Sequence, residues 1–83
     1  MELTVYYIEK ANDSALDYGE INERFYSSIE SMLDAALKML KNSPDNIIEE
    51  FLPRLRTVVS RADGMKWGYY DYIADAVEGA FPE

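Results

Sequence analysis

Apolar residues recur along this chain at three- and four-residue steps, most clearly in Ile21, Phe25, Ile29, Met32, Leu33, Ala36, Leu37 and Leu40. Glu23, Ser27, Glu30, Asp34, Lys38 and Lys41 fall on the opposite side, so the segment predicts an amphipathic helix. Asn22 is placed to cap its start with Glu23 in the first turn. Lys38 and Lys41 stand near its end, where cations complement the helix dipole. Asp34, four residues before Lys38, adds a pair worth roughly 0.3 kcal/mol.

Ser43-Pro44-Asp45 reads as the next start, with serine as cap and proline at the first helical position, where its missing N–H costs nothing. The apolar stripe that follows is Ile47, Ile48, Phe51, Leu52, Leu55, Val58, Val59 and Ala62. Asp45, Glu49 and Glu50 crowd the positive end of this helix, and Arg54, Arg56 and Arg61 lie toward its negative end. Pro53 falls inside the pattern and frees the carbonyl of Glu49. It shares the polar face with Glu49, Thr57 and Ser60, so a kink is expected rather than a break. Asp63-Gly64 closes the helix with a residue that tolerates positive φ. A last helix is built from Tyr69, Tyr70, Ile73, Ala76, Val77 and Ala80, with Asp71, Asp75 and Glu78 as its solvated stripe and Gly79 and Pro82 marking its end.

The N-terminal segment admits two readings. Leu3-Thr4-Val5-Tyr6-Tyr7-Ile8 is rich in β-branched and aromatic residues and would pass as a strand. With no second strand-like run in the chain, that strand would need a partner chain to satisfy its backbone. The helical reading puts Met1, Val5, Ile8, Ala11, Ala15 and Leu16 on one side, and predicts a helix from about Glu2 to Tyr18 stopped by Gly19. The expected fold is therefore all-α, a small bundle of four helices forming a single domain over residues 1–83.

Composition narrows the function. A chain of 83 residues buries only about 60% of the surface its unfolded form exposes, so its stability depends on good helix packing or on association. There is no cysteine for a disulfide or thiolate metal site, and no histidine to serve as general base or metal ligand. No apolar run approaches the roughly 20 residues that cross a bilayer, and no basic leader precedes an apolar stretch, so a soluble cytoplasmic protein is expected. The formal charge of −8 repels nucleic acid and anionic membrane and attracts basic surfaces.

Candidate chemistry is correspondingly thin. Asp71, Asp75 and Glu78 project from one helix face, which is the ordinary form of a solvated stripe, and the loops lack the alternating oxygen ligands of a calcium site. Glu49 and Glu50 point about 100° apart and do not converge on a substrate. No phosphate-cradling loop, nucleophile elbow or dinucleotide fingerprint is present. Neither an enzyme nor a cofactor or metal site is expected. Arg54, Arg56, Arg61 and Lys66 make a local basic cluster that could stack on single-stranded bases. The competing reading pairs Glu50 with Arg54 and uses the arginines to complement the helix end.

The richest stretch is Gly64 to Ile73, which carries Trp67, Tyr69, Tyr70 and Tyr72 in a corner between two helices. Four large side chains so close together spread around the helix axis and cannot all face inward. Trp67 and Tyr70 are expected to plug the end of the bundle. Tyr69 and Tyr72 carry the expectation of a recognition surface, since tyrosine anchors interfaces where one end of the ring is buried and the other is wet.

Tyr18-Gly19-Glu20-Ile21-Asn22-Glu23 followed by Phe25-Tyr26, together with Gly68-Tyr69-Tyr70-Asp71 after Trp67, resembles a family of bacterial domains of unknown function with a YGDI-like helix junction and a GWGYHD-like turn. Tyr70 stands where that pattern has histidine. The resemblance implies a small helical bundle and no particular activity. The expected function is a non-enzymatic protein-interaction module, self-associating to cover leftover apolar and aromatic surface, with Trp67, Tyr69, Tyr70 and Tyr72 as partner-binding residues. The alternative is an acidic inhibitor or nucleic-acid mimic that occupies a basic site on a partner.

Overall fold

The computed structural model describes residues 1–18, 23–65 and 68–82. Four helices follow in order: α1 (Glu2–Tyr18), α2 (Glu23–Lys41), α3 (Asp45–Arg61) and α4 (Tyr69–Ala80). No strand occurs among the described residues, so the N-terminal segment resolves as a helix with the expected bounds. The expected roles of Gly19, Ile21, Asn22, Lys66 and Trp67 lie outside the described residues.

α2 and α3 pack on each other and form the middle of the bundle. α1 and α4 each pack on both of them, with their own backbones held apart among the described residues. Each helix turns one stripe inward. Val5, Ile8 and Ala15 of α1 meet Ile29, Leu33, Leu37 and Leu40 of α2, Phe51, Leu52, Leu55 and Val58 of α3, and Ile73 and Val77 of α4 in one continuous apolar core. Burying each such branched aliphatic side chain contributes about 1.5–3 kcal/mol, and these contacts outweigh modest helix propensities in a chain this short.

The junction between α2 and α3 differs from the expected cap. Pro44, with φ −63° and ψ 159°, is the N-cap residue itself, and no side chain caps α3. Its carbonyl accepts from the backbone N–H groups of Ile47 and Ile48 at 3.0 and 3.1 Å. The Ser43 hydroxyl instead donates backward to the Met39 carbonyl at 2.8 Å, and Asn42 Nδ2 donates to the Lys38 carbonyl at 2.9 Å. Two polar side chains thus add hydrogen bonds to carbonyls in the last turn of α2, the Met39 carbonyl also accepting from the Asn42 N–H at 3.2 Å.

α3 runs unbroken through Pro53, whose ring is exposed while Leu52 and Leu55 on either side are buried. Thr57 donates its hydroxyl to the Pro53 carbonyl at 2.9 Å. Gly64 (φ 90°) and Gly68 (φ 69°) occupy the left-handed region, where a Cβ is strained, and they bracket the corner that leads into α4. Gly79 lies inside α4 rather than at its end, and the chain leaves the helix at Phe81.

Candidate functional site

The corner and α1 carry the tyrosines whose placement decides where a partner can dock. In α4, Tyr69, Ile73 and Val77 form the buried stripe at four-residue steps. Tyr69 is 1% exposed, so its expected place in a recognition surface is corrected: it is a core residue. Its ring lies tilted against Phe25 with centroids 6.3 Å apart, and its hydroxyl donates to Asn12 Oδ1 at 2.8 Å. That bond is why a tyrosine is tolerated here, because a buried hydroxyl without a partner costs about 1–3 kcal/mol. It also links α1 to α4 across the bundle. Tyr70 and Tyr72 are half-buried and pack against the core.

Exposed aromatic surface gathers instead on α1. Leu3 is 62% exposed, Tyr6 44% and Tyr7 53%. With Lys10 they occupy positions i, i+3, i+4 and i+7, a continuous stripe on the outer face of the helix. The Tyr6 and Tyr7 rings meet edge-on at 5.9 Å, and Lys10 Nζ lies 5.5 Å from the centroid of the Tyr6 ring. The inner stripe, Val5, Ile8, Asn12 and Ala15, is fully buried. α1 is thus apolar on two faces, one covered by the bundle and one open.

Ion pairs lock α1 to α3. Arg54 grips Glu9 in a fork, Nη2 to Oε1 at 2.5 Å and Nε to Oε2 at 3.1 Å, while Nη1 reaches Glu2 Oε1 at 2.9 Å. The guanidinium also lies over the Phe51 ring at 5.6 Å. The hydrogen bonds from Arg54 hold the Glu9 carboxyl below its ordinary range against the opposing pull of burial, and the two carboxylates raise the Arg54 pKa above its ordinary value. Arg61 Nη1 pairs with Asp13 Oδ1 at 2.8 Å, and Arg56 Nη2 donates to the Phe81 carbonyl at 3.3 Å. Arg54 therefore pairs across the bundle to α1, where the sequence spacing suggested Glu50, and the arginines are engaged within the fold. Asp34 and Lys38 pair as expected, at 3.4 Å and well exposed.

Between α1 and α3 lies a cavity of about 230 Å³. Tyr6, Lys10 and Asn12 line it from α1, and Val58 and Arg61 from α3, with Glu9, Asp13 and Thr57 completing the wall. Asn12 is 1% exposed, and its Nδ2 finds no acceptor among the described residues. Neither Tyr6 nor Asn12 stood out in the sequence. The signal that could have found Tyr6 was the second apolar set in α1, three and four residues apart and out of phase with the first.

Asp71, Asp75 and Glu78 are exposed along α4, as are Glu49 and Glu50 on α3. Among the described residues no three carboxylates converge as metal ligands would. No described helix is long and apolar enough to cross a membrane. Comparison with protein-family models, curated proteins and solved structures returns no match.

Proposed function

We propose that this protein is a non-enzymatic interaction module that pairs with a second copy of itself through the outer face of α1. The observation that carries this reading is the open stripe of Leu3, Tyr6 and Tyr7 on a helix whose other face is already buried. An isologous pair places the same patch on both sides of a two-fold axis. With two α1 helices antiparallel and the axis between Tyr6 and Tyr7, Lys10 of each copy lies beside Leu3 and Glu2 of the other. Lys10 forms no ion pair among the described residues of its own chain, and Arg54 engages only Oε1 of Glu2. The pairing therefore supplies a carboxylate to an available ammonium.

The patch is smaller than the roughly 800 Å² per partner of a stable interface, so the pairing is weak and concentration-dependent. Each copy carries −8, and this repulsion is screened over about 8 Å at physiological salt. Light scattering after size exclusion at low and high salt tests the reading. Self-association should hold or strengthen as salt rises, and a monomer at every concentration and salt would overturn it.

A second reading draws on the exposed Asp71, Asp75 and Glu78 stripe, which suits an acidic decoy for a basic, nucleic-acid-handling protein. Its binding would weaken steeply with salt, the opposite sign, and neutralising those three carboxylates would reduce it.

A further inference from the structure

The groups on the wall of the α1–α3 cavity divide into those already engaged and those still available. Both oxygens of Glu9 receive Arg54, Asp13 Oδ1 receives Arg61, the Thr57 hydroxyl donates to Pro53, and Asn12 Oδ1 accepts from Tyr69. What remains is mostly donors, beside one carboxylate oxygen, Asp13 Oδ2. Asn12 Nδ2 lacks an acceptor, Lys10 forms no ion pair among the described residues, and Arg61 pairs with Asp13 through one nitrogen. A buried amide N–H without a partner is costly, so a matching acceptor is favoured there.

Exposure orders these donors by depth. Asn12 is buried, whereas Lys10 and Arg61 are exposed at the mouth. The Tyr6 ring and Val58 give the cavity apolar surface between the donors. We propose that this cavity binds a small organic carboxylate, one oxygen accepting from Asn12 Nδ2 and the charge facing Lys10 and Arg61, with an apolar body against Tyr6. Amines are disfavoured because most of the wall's acceptors are engaged. A phosphate dianion meets more of the repulsion from a chain of −8 than a monoanion does.

Benzoate is the probe, with benzamide as its neutral analogue and inorganic phosphate as the dianion, each titrated into isotope-labelled protein and followed by amide NMR. Benzoate should give saturable shifts at the Asn12 side-chain amide and at Lys10 and Arg61, with benzamide and phosphate at least tenfold weaker. Arg61→Gln, on the rim and exposed, should weaken benzoate severalfold while leaving the helical content intact, and Lys10→Gln should do the same. Equal responses to benzoate and benzamide, a stronger response to phosphate, or shifts that never saturate would overturn the proposal. Repeating the titration on Leu3→Glu, outside the cavity, separates it from self-association: benzoate binding should persist or strengthen there, since loss of pairing releases Lys10 from Glu2 of the second copy.

Discussion

Two pairs of adjacent tyrosines, Tyr6-Tyr7 and Tyr69-Tyr70, open α1 and α4, and the fold treats them oppositely. Tyr69 is sealed in the core and Tyr70 is half-buried, whereas Tyr6 and Tyr7 stand open to solvent. Residue type does not separate them. Phase does: Tyr69 falls in line with Ile73 and Val77, while Tyr6 and Tyr7 lie about 100° and 200° around the helix from buried Val5. The polar tip decides the rest, since Tyr69 has Asn12 within reach across the bundle. A tyrosine-rich stretch is therefore a poor guide to a recognition surface until the inward stripe of its helix is known.

The largest expected effect tests the buried member of this comparison. Tyr69→Ala should lose about 3–5 kcal/mol of stability, read from urea unfolding, because it opens a large cavity. A loss below 1 kcal/mol, on the order of a surface change, would mean that Tyr69 does not hold the core. Tyr69→Phe isolates the hydroxyl: it should cost about 1–2 kcal/mol by leaving Asn12 without its remaining partner. Adding Asn12→Leu should recover much of that cost in a double-mutant cycle, since removing both polar groups is far cheaper than removing one.

Next in size is the fork that holds α1 in place and so fixes which face is left open. Arg54→Met should cost about 1–2 kcal/mol near neutral pH. Because Arg54 depresses the Glu9 pKa from its ordinary 4.5, the wild-type advantage is fully present above that pH. It is lost as pH falls through the depressed folded value. Wild-type and variant unfolding curves should converge in acid, and a gap independent of pH would assign the effect to packing on Phe51 alone. The smallest effect belongs to the open face: Leu3→Glu and Tyr7→Glu should each change monomer stability by less than about 0.5 kcal/mol, in contrast to Tyr69→Ala.

Helix periodicity made the all-α architecture legible, down to the bounds of α1, because inward stripes recur in each segment. What it left open is instructive. Tyr69 and Tyr70 are both in step with Ile73 and Val77, at four and three residues, so spacing alone could not choose between them. The choice rests on Asn12, 57 positions away. Arg54 poses the same problem, since local spacing offered Glu50 while the fold brings Glu9 across from 45 positions away. At the α2–α3 junction, Ser43 and Pro44 were recognised as punctuation, but whether the hydroxyl serves the helix behind or ahead depends on the path of the turn.

If the outer face of α1 is the working surface, sedimentation equilibrium of the wild type against Leu3→Glu/Tyr7→Glu is the most direct measurement. The wild type should show a reversible monomer–dimer equilibrium, and the double variant should weaken it at least tenfold with unchanged helical content. Taking apolar side chains out of an interface forfeits more than the ~1.4 kcal/mol that a factor of ten represents. A wild type that stays monomeric across the accessible concentration range, or a double variant that pairs as well as the wild type, would contradict it.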